Sequence, residues 1–374
     1  MNPSRYEKIG GELGIAATQV EATSVLFEEG ATVPFIARYR KEITGALDEV
    51  VITAIRDRLQ QLEELDSRRE AILKSLTERN LLTDELRQRI DTAETLAVLE
   101  DIYLPFRPKR RTRATIAKEK GLEPLALKIF AQETIDLTAE AETFIDSEKG
   151  VASVEEALAG ARDIMAEWIN EDQEARTRMR DLFSQKGIIR SRVIPGKEAT
   201  GVKYKDYYDW EELAFSAPSH RVLAMRRGER EEFLIMRIAP PEEEALRTLE
   251  DLFVRETGEV SAQVRLAVQD SYKRLLSAAM ETEIRLAAKK RADETAIRIF
   301  VDNLRQLLLA PPLGQKAILA IDPGFRTGCK LTCLDRQGKL LHHETIYPLL
   351  SEKGAREAGD TVREYCHRFH IEAI

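Results

Sequence analysis

Apolar residues at Ile52, Ile55, Leu59, Leu62 and Leu65, resumed by Ile72, Leu73 and Leu76, hold helical spacing for about seven turns. A helix that long has no way to bury its stripe on itself, so other helices must cover it. Asp48 stands where an N-cap is needed. Thr83, followed by Asp84 and Glu85, has the signature of a second helix start, with Leu86, Ile90, Ala93 and Leu96 on one face and an antiparallel hairpin as the expected arrangement. With 33% charged and 6% aromatic residues and helical periodicity over most of its 374 residues, the chain reads as mainly α and as more than one domain.

The rest of the chain divides around this strut. Residues 1–45 read as a small helix-turn-helix-like unit, two short helices broken at Gly10-Gly11 and Gly14. Residues 46–187 form the long-helix region. In it Pro105 and Pro108 end a helix, Lys109 to Arg113 make a basic connector with no apolar face, and a helix starts at Pro124. Ser153 with Glu156 predicts a capping box for a helix that buries Ala157, Leu158, Ala161, Met165, Trp168 and Ile169. Residues 188–241 read as a small mixed module, irregular from Ile188 to Tyr208, with a helix opening at Ser219 and a strand over Glu231 to Ala239. Long helices return over 242–314 and stop at Ala310-Pro311-Pro312-Leu313-Gly314. The main boundary is placed there.

Residues 315–374 change period. Ile318 to Ile321 is a strand ending on Asp322, followed by a glycine turn, strands over Arg326 to Leu334 and Lys339 to Tyr347, a helix capped by Ser351, and the start of another strand at Ile371. A carboxylate at the mouth of a buried strand is how a ribonuclease-H-like sheet opens, because there it can hold a metal over a phosphate. Two-metal cleavage needs a cluster of carboxylates, however, and only Asp335 and Glu344 stand within reach in sequence. Asp322 is therefore read as a vestigial candidate that accepts hydrogen bonds from the turn at Gly324 and Gly328, and no catalytic residue is assigned.

Several function classes are set aside. The net charge is −8, so a uniformly basic nucleic-acid binder is excluded, although opposite charges are blocked: Pro105 to Lys120 carries seven basic residues and one acid, Arg176 to Lys205 nine and two, and Glu133 to Glu156 eight acids and one lysine. No apolar run approaches the roughly 20 residues of a membrane span, and Met-Asn-Pro-Ser-Arg-Tyr-Glu lacks a signal peptide's apolar core, so a cytoplasmic protein with no membrane partner is expected. Cys329, Cys333 and Cys366 make no disulfide framework. Four residues along a strand span roughly 13 Å, too far for Cys329 and Cys333 to join His342 and His343 around zinc, so no metal is assigned. No Walker-type glycine loop occurs, and the Asp-Pro-Gly-Phe-Arg-Thr-Gly turn, which resembles one phosphate loop of actin-like ATPases, has no second loop after it. No cofactor is expected.

Three stretches carry more than pattern: Glu29-Gly-Ala-Thr-Val-Pro-Phe-Ile-Ala-Arg-Tyr-Arg-Lys-Glu42, Tyr103-Leu-Pro-Phe-Arg-Pro-Lys-Arg-Arg-Thr-Arg-Ala-Thr-Ile116, and Ile321-Asp-Pro-Gly-Phe-Arg-Thr-Gly-Cys329. In them the chain closely resembles the Tex family of bacterial transcription accessory proteins along its whole length. Members are about twice as long. The resemblance implies the N-terminal half of such a protein, ending inside an incomplete ribonuclease-H-like (YqgF-type) domain, with helix-hairpin-helix repeats and an OB-fold RNA-binding domain beyond. It also implies a nucleic-acid-binding factor linked to transcription, akin to a eukaryotic elongation factor that handles histones. RNA or DNA is the expected partner, without sequence preference. The alternatives are a docking platform for RNA polymerase and a metal-dependent nuclease or junction resolvase using Asp322.

Arg107, Lys109, Arg110, Arg111 and Arg113 are the foremost candidates for phosphate contact, because a proline-stiffened loop holds guanidinium groups close together at low ordering cost. The bland reading is that they tie helices to the Glu133 to Glu156 block. Arg38, Arg40 and Lys41 meet nucleic acid or brace the N-terminal unit, with Phe35, Ile36 and Tyr39 expected to pack. Lys203 and Lys205, beside Tyr207, Tyr208 and Trp210, have the ingredients of a single-strand surface.

Overall fold

The computed structural model describes residues 3–108, 111–255, 257–324 and 327–374. It divides into two compact units, Met1–Glu294 and Thr295–Ile374. The fold is mainly α, with a small α/β arrangement in the second unit.

Helices α1 (Pro3–Leu13), α2 (Ala17–Glu28) and α3 (Val33–Tyr39) pack on the first half of α5 (Glu49–Glu78), and α4 (Lys41–Thr44) packs on α2 and α3. Their shared core is Ile9, Val20, Ile36, Ile52 and Ile55, all fully buried. The expected break at Gly10-Gly11 is absent. α1 runs through both glycines and breaks at Gly14, whose φ of +67° needs glycine. Gly10 instead permits a close crossing, since a Cβ there would lie 2.8 Å from the Ile15 carbonyl oxygen.

α5 is the anticipated strut, 30 residues and about 45 Å long, with Asp48 accepting from the Val51 amide at 2.8 Å. Its second half buries Leu65, Ile72 and Leu76 against α6 (Asp84–Thr92) and α7 (Leu96–Tyr103). Thr83 caps α6 as expected, but Leu96 is not on its face. Thr95 accepts from the Val98 amide and starts a separate helix, leaving Leu96 exposed.

A short 3₁₀ turn (Leu104–Phe106) leads out of α7, and the basic connector ends sooner than its sequence suggests, in α8 (Arg113–Glu119). The main core follows: α9 (Glu123–Ala131), α10 (Leu137–Glu142), α11 (Val154–Glu171), α12 (Gln173–Lys186) and, later, α14 (Glu242–Phe253) and α15 (Glu259–Ser271). Ser153 caps α11, and Glu156 reaches back to the Ala152 amide at 2.7 Å. Trp168 lies at the margin of this core rather than inside it, half-buried, with the Phe130 ring at its edge and Lys118 over its face.

The segment expected to be irregular contains β1 (Ile188–Val193), the central strand of an antiparallel sheet ordered β2 (Asp209–Leu213), β1, β3 (Leu234–Ala239). α13 (Ser219–Arg230) crosses this sheet, and a π-turn (Tyr272–Leu276) joins α15 to α16 (Ser277–Leu309).

In the second unit β4 (Ile318–Asp322), β5 (Cys329–Leu334) and β6 (Leu340–Ile346) form an antiparallel sheet, one face covered by α17 (Glu352–Arg368). Ala373 bridges in parallel to Ile318 on the free side of β4, where the next strand was expected. Among the described residues no helix is long and apolar enough to cross a membrane.

Candidate nucleic-acid interface

α7, which leads into the basic connector, is tied to its neighbours by an ion cluster. Asp101 on α7 is 4% exposed and accepts from Arg176 Nε at 2.5 Å and Arg180 Nη2 at 2.8 Å, both on α12. Glu283 of α16 takes the same two guanidiniums, at 3.3 Å and 2.6 Å. Burial works against the charge on Arg180, but its hydrogen bonds to Glu283 and Asp101 outweigh that and raise its pKa. Two carboxylates and two guanidiniums thus tie three helices together. Arg79, the C-cap of α5, donates Nη1 to the Phe106 carbonyl and pins the connector itself.

Arg107 and Arg113 are exposed and make no ion-pair contact among the described residues, although the charge of Arg113 acts on Asp163 through space. Among the described residues Arg111 pairs with Glu119 alone, at 2.8 Å, with both side chains more than half exposed. Lys109 and Arg110 lie outside the described residues. The acidic block does not neutralise Arg107, Arg111 or Arg113. Glu140 is committed to Lys128, Asp146 to Lys149 and Glu155 to Arg162.

The block from Arg176 to Lys205, by contrast, is largely consumed. Besides Arg176 and Arg180, Arg178 pairs with Glu174, Lys186 with Glu244, Arg190 with Glu211, and Arg192 with Asp209 and Glu211. Lys203 pairs with Glu231, whose carboxyl that contact holds below its ordinary range, and lies over the Tyr204 and Phe233 rings. Lys205 is exposed without an ion-pair partner among the described residues. The neighbouring aromatics are built into the module: Tyr208 donates to the Glu198 carbonyl, and Trp210 has Tyr207 at its edge and Arg221 over its face.

On α3 the buried side is Ile36 and Ala37, which turns Phe35 and Tyr39 outward. Both were expected to pack; they are 39% and 62% exposed. Their rings lie 5.5 Å apart. Arg40 stands 4.8 Å over Phe35 and donates to the Tyr39 carbonyl at 2.9 Å. Arg38 is 3.9 Å from Glu49, and Lys41 is exposed.

Asp322 lies at the end of β4, 77% exposed at its side chain, with Lys330 Nζ at 3.9 Å. That lysine, and not the amides of Gly324 and Gly328, is its described partner. In register, Asp322 faces Lys330 and then Thr345, whereas Glu344 belongs to the row of Ile321 and Leu331. Alternation along the strands therefore puts Asp322 and Glu344 on opposite faces of the sheet, out of reach of a common ion. Glu344 accepts from the Tyr365 hydroxyl, a hydrogen bond that pushes the phenol up to about 12, and His342 Nε2 lies 3.0 Å from the same hydroxyl. Asp335 accepts from the Gln337 and Lys339 amides and shapes a turn. Among the described residues no group of three His, Cys, Asp or Glu side chains is placed to hold a metal.

Two features escaped the sequence reading. Arg79 sits 27 residues from the carbonyl it binds, with no local signal. Arg226, Arg227 and Arg230 of α13 carry no ion pair among the described residues; the run Met-Arg-Arg-Gly-Glu-Arg was legible but is outside the blocks that drew notice.

Three family descriptions match: a Tex-like protein N-terminal domain over residues 4–77, a Tex central region-like segment over 132–300, and a Tex protein YqgF-like domain over 316–374. The chain is 41% identical to the uncharacterized protein YdcI of Bacillus subtilis, over 98% of this chain and 52% of that protein. It is 38% identical to protein tex of Bordetella pertussis, over 98% and 48% of the two chains. The transcriptional accessory protein Tex of Neisseria gonorrhoeae is also 38% identical, over 93% and 46%. The chain spans about half the length of these curated relatives.

Proposed function

Since this chain belongs to the Tex family, we propose that it acts as a non-enzymatic nucleic-acid-binding scaffold in transcription, gripping phosphate backbones without reading sequence. The reading rests on one observation above others. Arg107, Arg111 and Arg113 of the connector are exposed, with Glu119 on Arg111 as the one ion pair among the described residues, and α7, which leads into them, is tied down by the Asp101, Arg176, Arg180 and Glu283 cluster. Exposed arginines on a held loop engage phosphate bidentately at low ordering cost. Lys109 and Arg110 complete a set of five cations in the sequence; Arg38, Arg40, Lys41, Lys203 and Lys205 are secondary contacts. A cytoplasmic location and a surface for RNA polymerase belong to the same reading.

The test is binding of the full chain to labelled single strands and duplexes of two unrelated sequences across a salt series. Neutralising five phosphates gives log–log slopes of about −3.5 on single strands and −4.5 on duplex. Equal affinity for the two sequences is expected; a preference above tenfold for one would contradict a backbone-only grip. The nuclease alternative finds support only in the exposed Asp322 at a strand end of the YqgF-like domain. It lacks a second carboxylate on that face among the described residues.

A further inference from the structure

Phe35 and Tyr39 have no packing role that explains their placement. They stand one helical turn apart on the outward side of α3, 39% and 62% exposed, with ring centres 5.5 Å apart at 47°. Arg40 is fixed beside them twice, by its hydrogen bond to the Tyr39 carbonyl at 2.9 Å and by its position 4.8 Å over the Phe35 ring. Arg38 and Lys41 flank the pair, both exposed. Three carboxylates stand nearby in sequence. Asp48 is occupied in capping α5, Glu49 lies 3.9 Å from Arg38, and Glu42 is exposed.

We propose that Tyr39 and Phe35 form a stacking platform for unpaired bases of a single-stranded nucleic acid, with Arg38, Arg40 and Lys41 holding the adjoining phosphates. The inference rests on the nucleic-acid reading above and narrows it to single strands at this face. Three physical points carry it. An open aromatic face stacks on any base, because every base has a π-face, and stacking of this kind is sequence-tolerant. A guanidinium already immobilised by a hydrogen bond and a ring needs little further ordering when a base or phosphate arrives. The bases of a duplex are stacked on one another and unavailable, so this platform discriminates by strandedness and not by charge. An acidic protein segment is the competing occupant, since Ile43 and Val50 are also exposed nearby, 48% and 76%. The open tyrosine ring favours the base.

The experiment measures affinity of the full chain and its Tyr39→Ala, Tyr39→Trp and Phe35→Ala/Tyr39→Ala variants for an oligothymidylate, an oligouridylate and a duplex of equal length. Loss of one stacked base is worth about 5- to 150-fold in affinity. Tyr39→Ala is expected to weaken both single strands by that factor, the double variant by more, while Tyr39→Trp restores binding. Duplex affinity should change less than twofold, and the single-strand salt slope should stay that of the unsubstituted chain, because no cation has been removed. Unchanged single-strand affinity in Tyr39→Ala, equal losses on single strands and duplex, or failure of tryptophan to rescue would each overturn the platform. Binding of polyglutamate that Tyr39→Ala abolishes, with oligonucleotide affinity untouched, would assign the face to an acidic protein and overturn it as well. If the unsubstituted chain shows no salt-dependent binding to any of the three ligands, the nucleic-acid reading itself fails.

Discussion

Replacing Asp101 by asparagine would show whether the tie between α7, α12 and α16 is electrostatic. Asp101 is 4% exposed and holds Arg176, itself 9% exposed, at 2.5 Å and Arg180 at 2.8 Å; Glu283 holds the other edges of both. Asparagine keeps the shape but leaves two guanidiniums against one carboxylate. Breaking a buried ion pair by removing one partner costs about 3 to 5 kcal/mol. Arg180 and Glu283 keep 26% and 36% side-chain exposure, so solvent screens part of the imbalance and the low end applies, about 3 kcal/mol. For the unit Met1–Glu294, an unfolding entropy of roughly 2.1 cal/mol/K per residue gives about 0.6 kcal/mol per degree. Thermal unfolding followed by fluorimetry should therefore show the melting temperature falling by roughly 5 °C. Glu283→Gln, in a wetter position, should cost less. In the pair Asp101→Asn with Arg176→Met, the combined loss should be smaller than the sum of the single losses, since the second change removes the unpaired charge. A fall below about 1 °C for Asp101→Asn would refute the reasoning and leave the cluster energetically idle.

Other consequences are cheaper to test. Arg107→Ala/Arg111→Ala/Arg113→Ala should leave the melting temperature within about 2 °C, because an exposed pair such as Arg111 with Glu119 contributes only about 0.2 to 1 kcal/mol; a larger fall would move these residues into the structural framework. Glu372 has its carboxyl held down to about 2 by the hydrogen bond from Arg336 and by the Ala317 amide. A depressed folded value means that its contribution is present above the ordinary value of 4.5 and is lost as pH falls from there through about 2. Carboxyl NMR titration of Arg336→Gln should show Glu372 moving up toward 4.5, and an unmoved titration would deny the arginine its role. Incubation with magnesium or manganese should leave labelled RNA, duplex DNA and branched DNA intact for both the unsubstituted chain and Asp322→Asn; metal-dependent cleavage lost in the variant would restore the nuclease reading.

Where the sequence carried local punctuation, the fold was legible. Asp48, Thr83, Ser153 and Ser351 each start the helix they announce, and the stripe from Ile52 to Leu76 is the buried side of α5. α8 escaped because it buries only Ala114 and Ala117, too little apolar surface to stand out within a basic run. β1 escaped because its inward residues are Ile189 and Ser191, flanked by arginines, so the alternation does not look apolar. The charges were harder still. Arg176 and Arg180 look like part of a basic surface until their acids are found, and Asp101 and Glu283 lie 75 and 107 residues from Arg176. A lone aspartate on the inner face of Leu-Ala-Val-Leu-Glu-Asp-Ile-Tyr was the one available hint. The exposure of Phe35 and Tyr39 was hidden for the opposite reason: residue type argues for burial, and only the helix phase set by Ile36 and Ala37 turns them out.

Phosphate neutralisation by the connector after α7 is the premise of the proposed function. Its most direct test is the salt dependence of duplex affinity for the unsubstituted chain beside a variant with Arg107, Lys109, Arg110, Arg111 and Arg113 all changed to alanine. If those five cations each displace a counterion, the log–log slope should flatten by about 4.5. The same slope in both proteins would contradict the account and return the connector to a purely structural role.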